Sequence, residues 1–176
     1  IRTKENFEIE LEKFRNIAGN NVKGFRAPTF SLDSTTSWAI DSLKKFGYSY
    51  DSSIVPVKTK MYGLSDTEKY PYRISSSSIK KHDPKSEFRE FPLMKTKFLG
   101  KEIPAGGGFY LRTLPSKIFQ KSIKEYNKKD KPAIMYIHSW ELTPEYMPKI
   151  NLPIKEKFIT YHNIHKSLPK MDELIK

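Results

Sequence analysis

Lys131-Pro132-Ala133-Ile134-Met135-Tyr136-Ile137-His138-Ser139-Trp140-Glu141 is the stretch whose reading decides the fold. An apolar run, Ala133 to Ile137, follows a Lys-Pro pair and stops at a histidine. A short apolar run bounded by turn residues reads as a buried strand. In α/β folds the site opens where such strands end, so His138 is the first candidate for chemistry. Gly24-Phe25-Arg26-Ala27-Pro28-Thr29-Phe30 closes a second apolar segment and carries Arg26. The two segment ends nominate a proton donor and a charge-holding group.

Outward from these segments the rhythm is α-β-α-β. Residues 3–18 predict an amphipathic helix with Phe7, Leu11, Phe14 and Ala18 on one stripe, stopped by Gly19-Asn20-Asn21. Val22 to Pro28 predicts a strand. A polar loop follows, with Asp33 or Ser34 as N-cap of a helix over 35–46, and Tyr48 to Ser52 predicts the next strand. This alternation points to an α/β fold with parallel strands. Residues 55–86, rich in Ser, Lys, Tyr and Pro, are too long for a plain connection and predict a functional loop, an excursion or partial disorder. Residues 87–93 and 97–104 read as two short strands, as in a hairpin. A helix over 115–128 has Pro115 in its first turn and turns Ile118, Phe119, Ile123 and Tyr126 inward. A proline-spaced segment and a short helix over about 163–175 close the chain.

The chain has 176 residues, one domain's worth, and a net charge of +12 from 32 Lys and Arg against 20 Asp and Glu. The lysines are scattered, with no arginine-rich block, so the charge does not favour nucleic acid. No cysteine is present, which excludes disulfides and thiol chemistry. No apolar run reaches the ~18 residues of a membrane span, and no signal peptide opens the chain. The compartment stays open between the cytoplasm and the cell envelope. The chain opens on Ile1 in charged, helix-like sequence, and the expectation is a piece of a longer protein.

Each candidate has a plain structural reading beside its chemical one. His138 is either a strand-end histidine bonded to backbone or a general acid or base. Glu141, three residues on along a strand-like segment, need not face it. Arg26, between apolar neighbours, wants a carboxylate partner, and Asp51 at the end of the next strand is available. Gly106-Gly107-Gly108 is neither a Walker loop nor a dinucleotide fingerprint. It is either a turn or a place where backbone approaches a ligand, beside Tyr110 and Arg112. His162 and His165, spaced i, i+3, lack an obvious third ligand, and structural or solvent roles are favoured over metal binding.

Gly24 to Ser31, Trp38-Ala39-Ile40-Asp41, Gly47 to Ile54, Gly106 to Arg112, Tyr136 to Glu141 and Phe158 to Asn163 together resemble polysaccharide deacetylases of the NodB-homology type. The nearest branch is that associated with bacterial exopolysaccharide systems. The resemblance runs from about residue 20 onward. It implies the C-terminal part of a distorted seven-stranded (β/α) barrel over residues 1–142, with an irregular insertion at about 55–86. Residues 143–176 would be an extension packing on that barrel. It implies metal-assisted hydrolysis of an N-acetyl group on a polysaccharide or oligosaccharide. His138 would protonate the leaving amine and Arg26 would hold the catalytic aspartate. Asp51 would tune the histidine, although the tryptophan that follows this aspartate in the family is absent here. Phe30, Gly107, Gly108, Tyr110, Arg112 and Trp140 would contact substrate.

The family's Asp-Asp and His-x-x-x-His motifs should precede residue 20. Residues 1–19 hold no histidine, and no aspartate occurs before Asp33. The base and the ligands of a divalent metal, zinc or similar, are therefore expected in the full-length protein rather than in this chain. A reading from another class is a noncatalytic carbohydrate-binding or interaction module. Its Tyr62, Tyr70, Tyr72, Phe109, Tyr110 and Trp140 would stack on sugar rings.

Overall fold

The computed structural model describes residues 3–176. The secondary structure is mixed α/β, helices with small sheets. The chain divides into two compact units, one ending at Pro92 and the other spanning Leu93–Lys176.

In the first unit, helix α1 (Lys4–Ala18) starts where the Thr3 hydroxyl accepts the Asn6 N–H at 3.3 Å. It ends at Gly19, whose φ of 77° only glycine adopts freely. Phe7 and Leu11 are buried, but Phe14 is 48% exposed, so the apolar stripe turns off the core after two turns. Strands β1 (Gly24–Phe25) and β2 (Tyr50–Asp51) pair in parallel, with helix α2 (Ala39–Lys45) between them in sequence. Asp33 caps no helix. Its carboxylate accepts from Thr35 N–H at 2.8 Å and organises the turn ahead of α2, which starts later than the sequence implies.

Residues 55–86 are neither a plain loop nor an excursion. They contain β3 (Tyr72–Arg73), antiparallel to β4 (Arg89–Glu90), and β4 in turn pairs parallel to β2. The sheet order is β1-β2-β4-β3. Ile74 and Ile79 from this stretch join Ile40, Leu43, Ile54 and Phe88 in the core. Tyr72 is buried as well, and its hydroxyl donates to Ile79 O at 2.5 Å. Tyr72 therefore offers no ring for stacking on sugar.

The second unit opens with a hairpin, β5 (Lys95–Phe98) and β6 (Lys101–Pro104). The hairpin expected from 87–93 with 97–104 is thus displaced, because residues 89–90 belong to the first unit's sheet. Its two-residue turn holds Leu99 and Gly100 at φ 48° and 78°, the positive values that a right-twisted hairpin favours. Helix α3 (Gly108–Thr113) and helix α4 (Ser116–Asn127) follow. On α4, Phe119, Ser122 and Tyr126 are buried, while Ile118 and Ile123 are only half-buried.

Ala133–Ile137 does not form a buried strand. It runs extended and half-buried, held by isolated parallel bridges from Leu93 to Ile134 and from Gly107 to Tyr136. Beyond it lie α5 (Ser139–Leu142), α6 (Ile154–Tyr161) and α7 (Ser167–Ile175), the last with Pro169 in its first turn, where a missing N–H is tolerated. Helix α7 packs on α3, α4 and α5, so residues 143–176 fold together with the segment from Leu93 onward. Among the described residues, no helix is long and apolar enough to cross a membrane.

Candidate functional site

The first unit gathers Arg26, Asp51 and their neighbours where β1 and β2 end. Arg26 donates from Nε to Ser52 O at 2.8 Å and from Nη2 to Ser52 Oγ at 2.7 Å. Ser52 Oγ in turn donates to Phe91 O at 2.8 Å. Asp51, expected as the carboxylate partner of Arg26, accepts instead from Ser53 N–H at 3.1 Å and Ser53 Oγ at 2.7 Å. The parallel register puts it directly beside Glu90, and both carboxyls are fully buried.

Burial, and then the charge of Asp51, pushes the Glu90 carboxyl well above its usual range. Burial raises Asp51 too, against hydrogen bonds from Glu90 and Ser53. Glu90 Oε1 accepts from Ile54 N–H at 2.9 Å. Glu90 Oε2 is buried and receives no donor from the other groups. A proton on Glu90 shared with Asp51 satisfies that oxygen, since two adjacent carboxyls out of water cannot both ionise.

Asp51 and Ser53 also line a cavity of about 420 Å³ whose walls include Phe25, Pro28, Leu32 and Trp38. Beside it Thr29 and Phe30 both sit at φ 54°, an uncommon conformation for residues with a Cβ. Phe30 places its ring 5.3 Å from that of Tyr62.

The second unit organises His138. The chain turns helical immediately after it, so Glu141 stands one turn away on the same face, where strand spacing would have turned it aside. Glu141 Oε2 accepts from His138 N–H at 3.0 Å, half of a capping box, and lies 3.3 Å from Nδ1. Glu141 Oε1 pairs with Arg112 Nη2 at 3.1 Å, and both side chains are 2% exposed. The imidazole itself is 43% exposed. Its Nε2 is 2.7 Å from the Tyr136 hydroxyl, and its face stacks on Trp140 at 5.0 Å. A carboxylate only accepts. Bonded to it, Nδ1 would carry the hydrogen and leave Nε2 of the neutral ring to accept from Tyr136, whereas the capping box, in which the His138 side chain accepts the Glu141 N–H, takes the opposite tautomer.

Arg112, expected at the substrate, serves the fold. Nε donates to Gly108 O, Nη1 to Thr160 O and His162 O, and Nη2 to Ile159 O as well as Glu141. These are five acceptors for the five N–H groups of a guanidinium, so no donor remains for a sugar. Burial pulls its pKa below the ordinary value, while Glu141 holds the charge in place. The Ile159, Thr160 and His162 carbonyls end α6, where helical partners run out and a cation is favoured.

The triple glycine divides in role. A Cβ on Gly108 would fall on the Glu141 carboxylate, and one on Gly106 would lie 2.9 Å from Ile134 O. The close approach anticipated for a ligand is made at these two positions by the chain's own groups. A Cβ on Gly107 would meet nothing nearer than Tyr110 Cδ2 at 3.7 Å. Tyr110 is half-buried on α3, 5.6 Å from the Phe109 ring. His162 stacks on Phe158 at 4.4 Å.

Among the described residues no group of three or more His, Cys, Asp or Glu is placed to hold a metal ion. The described residues therefore supply no ligand set for the divalent metal expected in the full-length protein. Sequence reasoning set Glu141 aside on strand spacing; its capping-box spacing, three residues after His138, was the signal available.

No curated protein and no solved structure matches the chain. A family model described as "Domain of unknown function (DUF3473)" matches residues 52–176. That span holds His138, Glu141, Arg112 and Glu90, and with most of its length matched the chain belongs to the DUF3473 family.

Proposed function

We propose that this chain is the C-terminal, acid-bearing portion of a polysaccharide deacetylase, a hydrolase that removes N-acetyl groups from a polysaccharide or oligosaccharide. The observation that carries the reading is His138. It is a half-exposed imidazole whose Nδ1 is held by a buried carboxylate, leaving Nε2 as the nitrogen that exchanges protons. When both nitrogens are protonated, Nδ1 donates to Glu141 and Nε2–H points at the Tyr136 hydroxyl, whose place a leaving amine would take. That is the arrangement general acid catalysis needs. DUF3473 is found at the C-terminal end of polysaccharide deacetylase-like proteins, which supports the same reading.

In this proposal Arg26, fixed in orientation by Ser52, holds a catalytic aspartate that lies outside this sequence. The metal ligands lie outside it too. Strands β1, β2 and β4 would be parallel strands of the (β/α) barrel, and Phe30, Gly107, Tyr110 and Trp140 remain the proposed sugar contacts.

The test is product analysis with the full-length protein and an N-acetylated oligosaccharide. Acetate and free amine should appear in equal amounts. Oligosaccharide binding with no acetate released would contradict the proposal and favour the noncatalytic carbohydrate-binding module.

A further inference from the structure

We propose that Glu141 is the positioning residue for His138 and that the C-terminal helices serve the proton donor through Arg112. The proposal rests on the reading of His138 as a proton donor and extends it to the part of the chain that fixes that donor.

The connection is continuous. The carbonyl end of α6 receives Arg112 Nη1 at 3.1 Å and 2.9 Å and Nη2 at 3.1 Å. Arg112 Nη2 reaches Glu141 Oε1 at 3.1 Å, and Glu141 Oε2 reaches His138 Nδ1 at 3.3 Å. Helix α7 braces the same assembly. Lys170 donates to Leu111 O at 2.9 Å and Leu114 O at 2.5 Å, where α3 ends. Arg112 is thereby held at both its backbone and its guanidinium.

A carboxylate on Nδ1 does two things for an acid. It selects the tautomer that exposes Nε2, and it stabilises the imidazolium before the proton leaves. Glu141 is held from two sides, by the His138 N–H at Oε2 and by Arg112 at Oε1. It is buried, its short helix α5 has only four residues, and Gly108 leaves the space in which its carboxylate sits. The guanidinium, itself held by four backbone carbonyls, sets one oxygen through the single contact from Nη2, and the other oxygen faces the histidine. A plain structural role, the capping box of α5, also uses the His138 side chain, but as acceptor of the Glu141 N–H, so the proton on Nδ1 is what separates positioning from capping.

The experiment is ¹⁵N NMR of the imidazoles in the unmodified chain. There are four histidines, assignable by single replacement. With the His138 ring neutral, the expected result is a protonated Nδ1 and a bare Nε2. Glu141→Gln should mix the tautomers, because an amide presents either oxygen or NH₂ to Nδ1. Gly108→Ala, which displaces the carboxylate without altering charge, should do the same and covers the case in which the Gln variant fails to fold. In the full-length protein, Glu141→Gln should lower kcat, by up to about 10⁴-fold if the tautomer is lost outright, with KM nearly unchanged. A wild-type ring protonated at Nε2, or a Gly108→Ala ring still protonated only at Nδ1, overturns the proposal. The expected tautomer in a full-length protein that releases no acetate would leave Glu141 as the positioning residue and sink the deacetylase reading instead.

Discussion

Asp51 and Glu90 in the first unit bury two acids against each other, whereas Glu141 in the second buries one acid against Arg112. Removing charge from water is expensive in both places, and the two units meet the penalty differently. The first keeps one carboxyl protonated and so depends on pH. The second keeps both charges and satisfies every guanidinium N–H with an oxygen, so its state depends on geometry. The role proposed for His138, to stay fixed while it gains and loses a proton, is better served by the second arrangement. The comparison can be probed unit by unit, because the chain's two tryptophans, Trp38 and Trp140, fall one in each unit.

The largest effect is expected from Arg112→Ala. It strands Glu141 as an unpaired buried charge and exposes three α6 carbonyls, and breaking a buried pair in this way costs about 3–5 kcal/mol. Urea denaturation followed by Trp140 should show the loss, while a Trp38 signal in the same protein reports the first unit. A loss under about 1 kcal/mol would mean that the ion pair is poorly formed.

Gly108→Ala comes next. The added methyl overlaps the Glu141 carboxylate, and overpacking of this kind costs about 1–3 kcal/mol. Gly107→Ala, with open space at the same Cβ position, should stay within about 0.5 kcal/mol of wild type. Equal stabilities for the two variants would break the account of the triple glycine.

The first unit's acid pair should instead reveal itself through pH. Glu90 binds its proton more tightly folded than unfolded, since burial and Asp51 raise it from an ordinary 4.5. The stabilisation is therefore complete below about 4.5, and it is lost as pH rises through the elevated folded value. Glu90→Gln, whose amide can donate to Asp51 as the shared proton does, should flatten this slope. A first unit whose stability is level from pH 4.5 to neutrality in the wild type would rule out proton sharing.

These contrasts also mark what could be read from sequence. Phe7, Leu11, Ala39 and Leu43 repeat at helical spacing and are buried, so α1, α2 and the parallel pair β1–β2 were legible. Helix α6 was not, because Ile154 and Phe158 are 90% and 50% exposed; its anchor is Arg112, 42 residues before α6 begins. Strand β3 hid in a polar segment because it is two residues long and buries only Tyr72, with Ile74 and Ile79 beside it. Ala133–Ile137 had the composition of a core strand, yet composition does not specify ladder partners, and only alternate residues found them. His138 and Arg26 were picked out as candidates by type and context. Glu141 was not, because its relation to His138 depends on the backbone switching from extended to helical between them. Arg112 was recognised as important but given to substrate, since a sequence does not show carbonyls from a later helix.

The most direct test of the central claim is steady-state turnover of an N-acetylated oligosaccharide by the full-length protein carrying His138→Ala. A proton donor acts on the leaving amine in the transition state and contributes little to ground-state binding. The account predicts that kcat falls by roughly 10²–10⁴-fold while KM stays close to wild type. Wild-type kcat in the variant would contradict it, and His138 would then be a helix cap and nothing more.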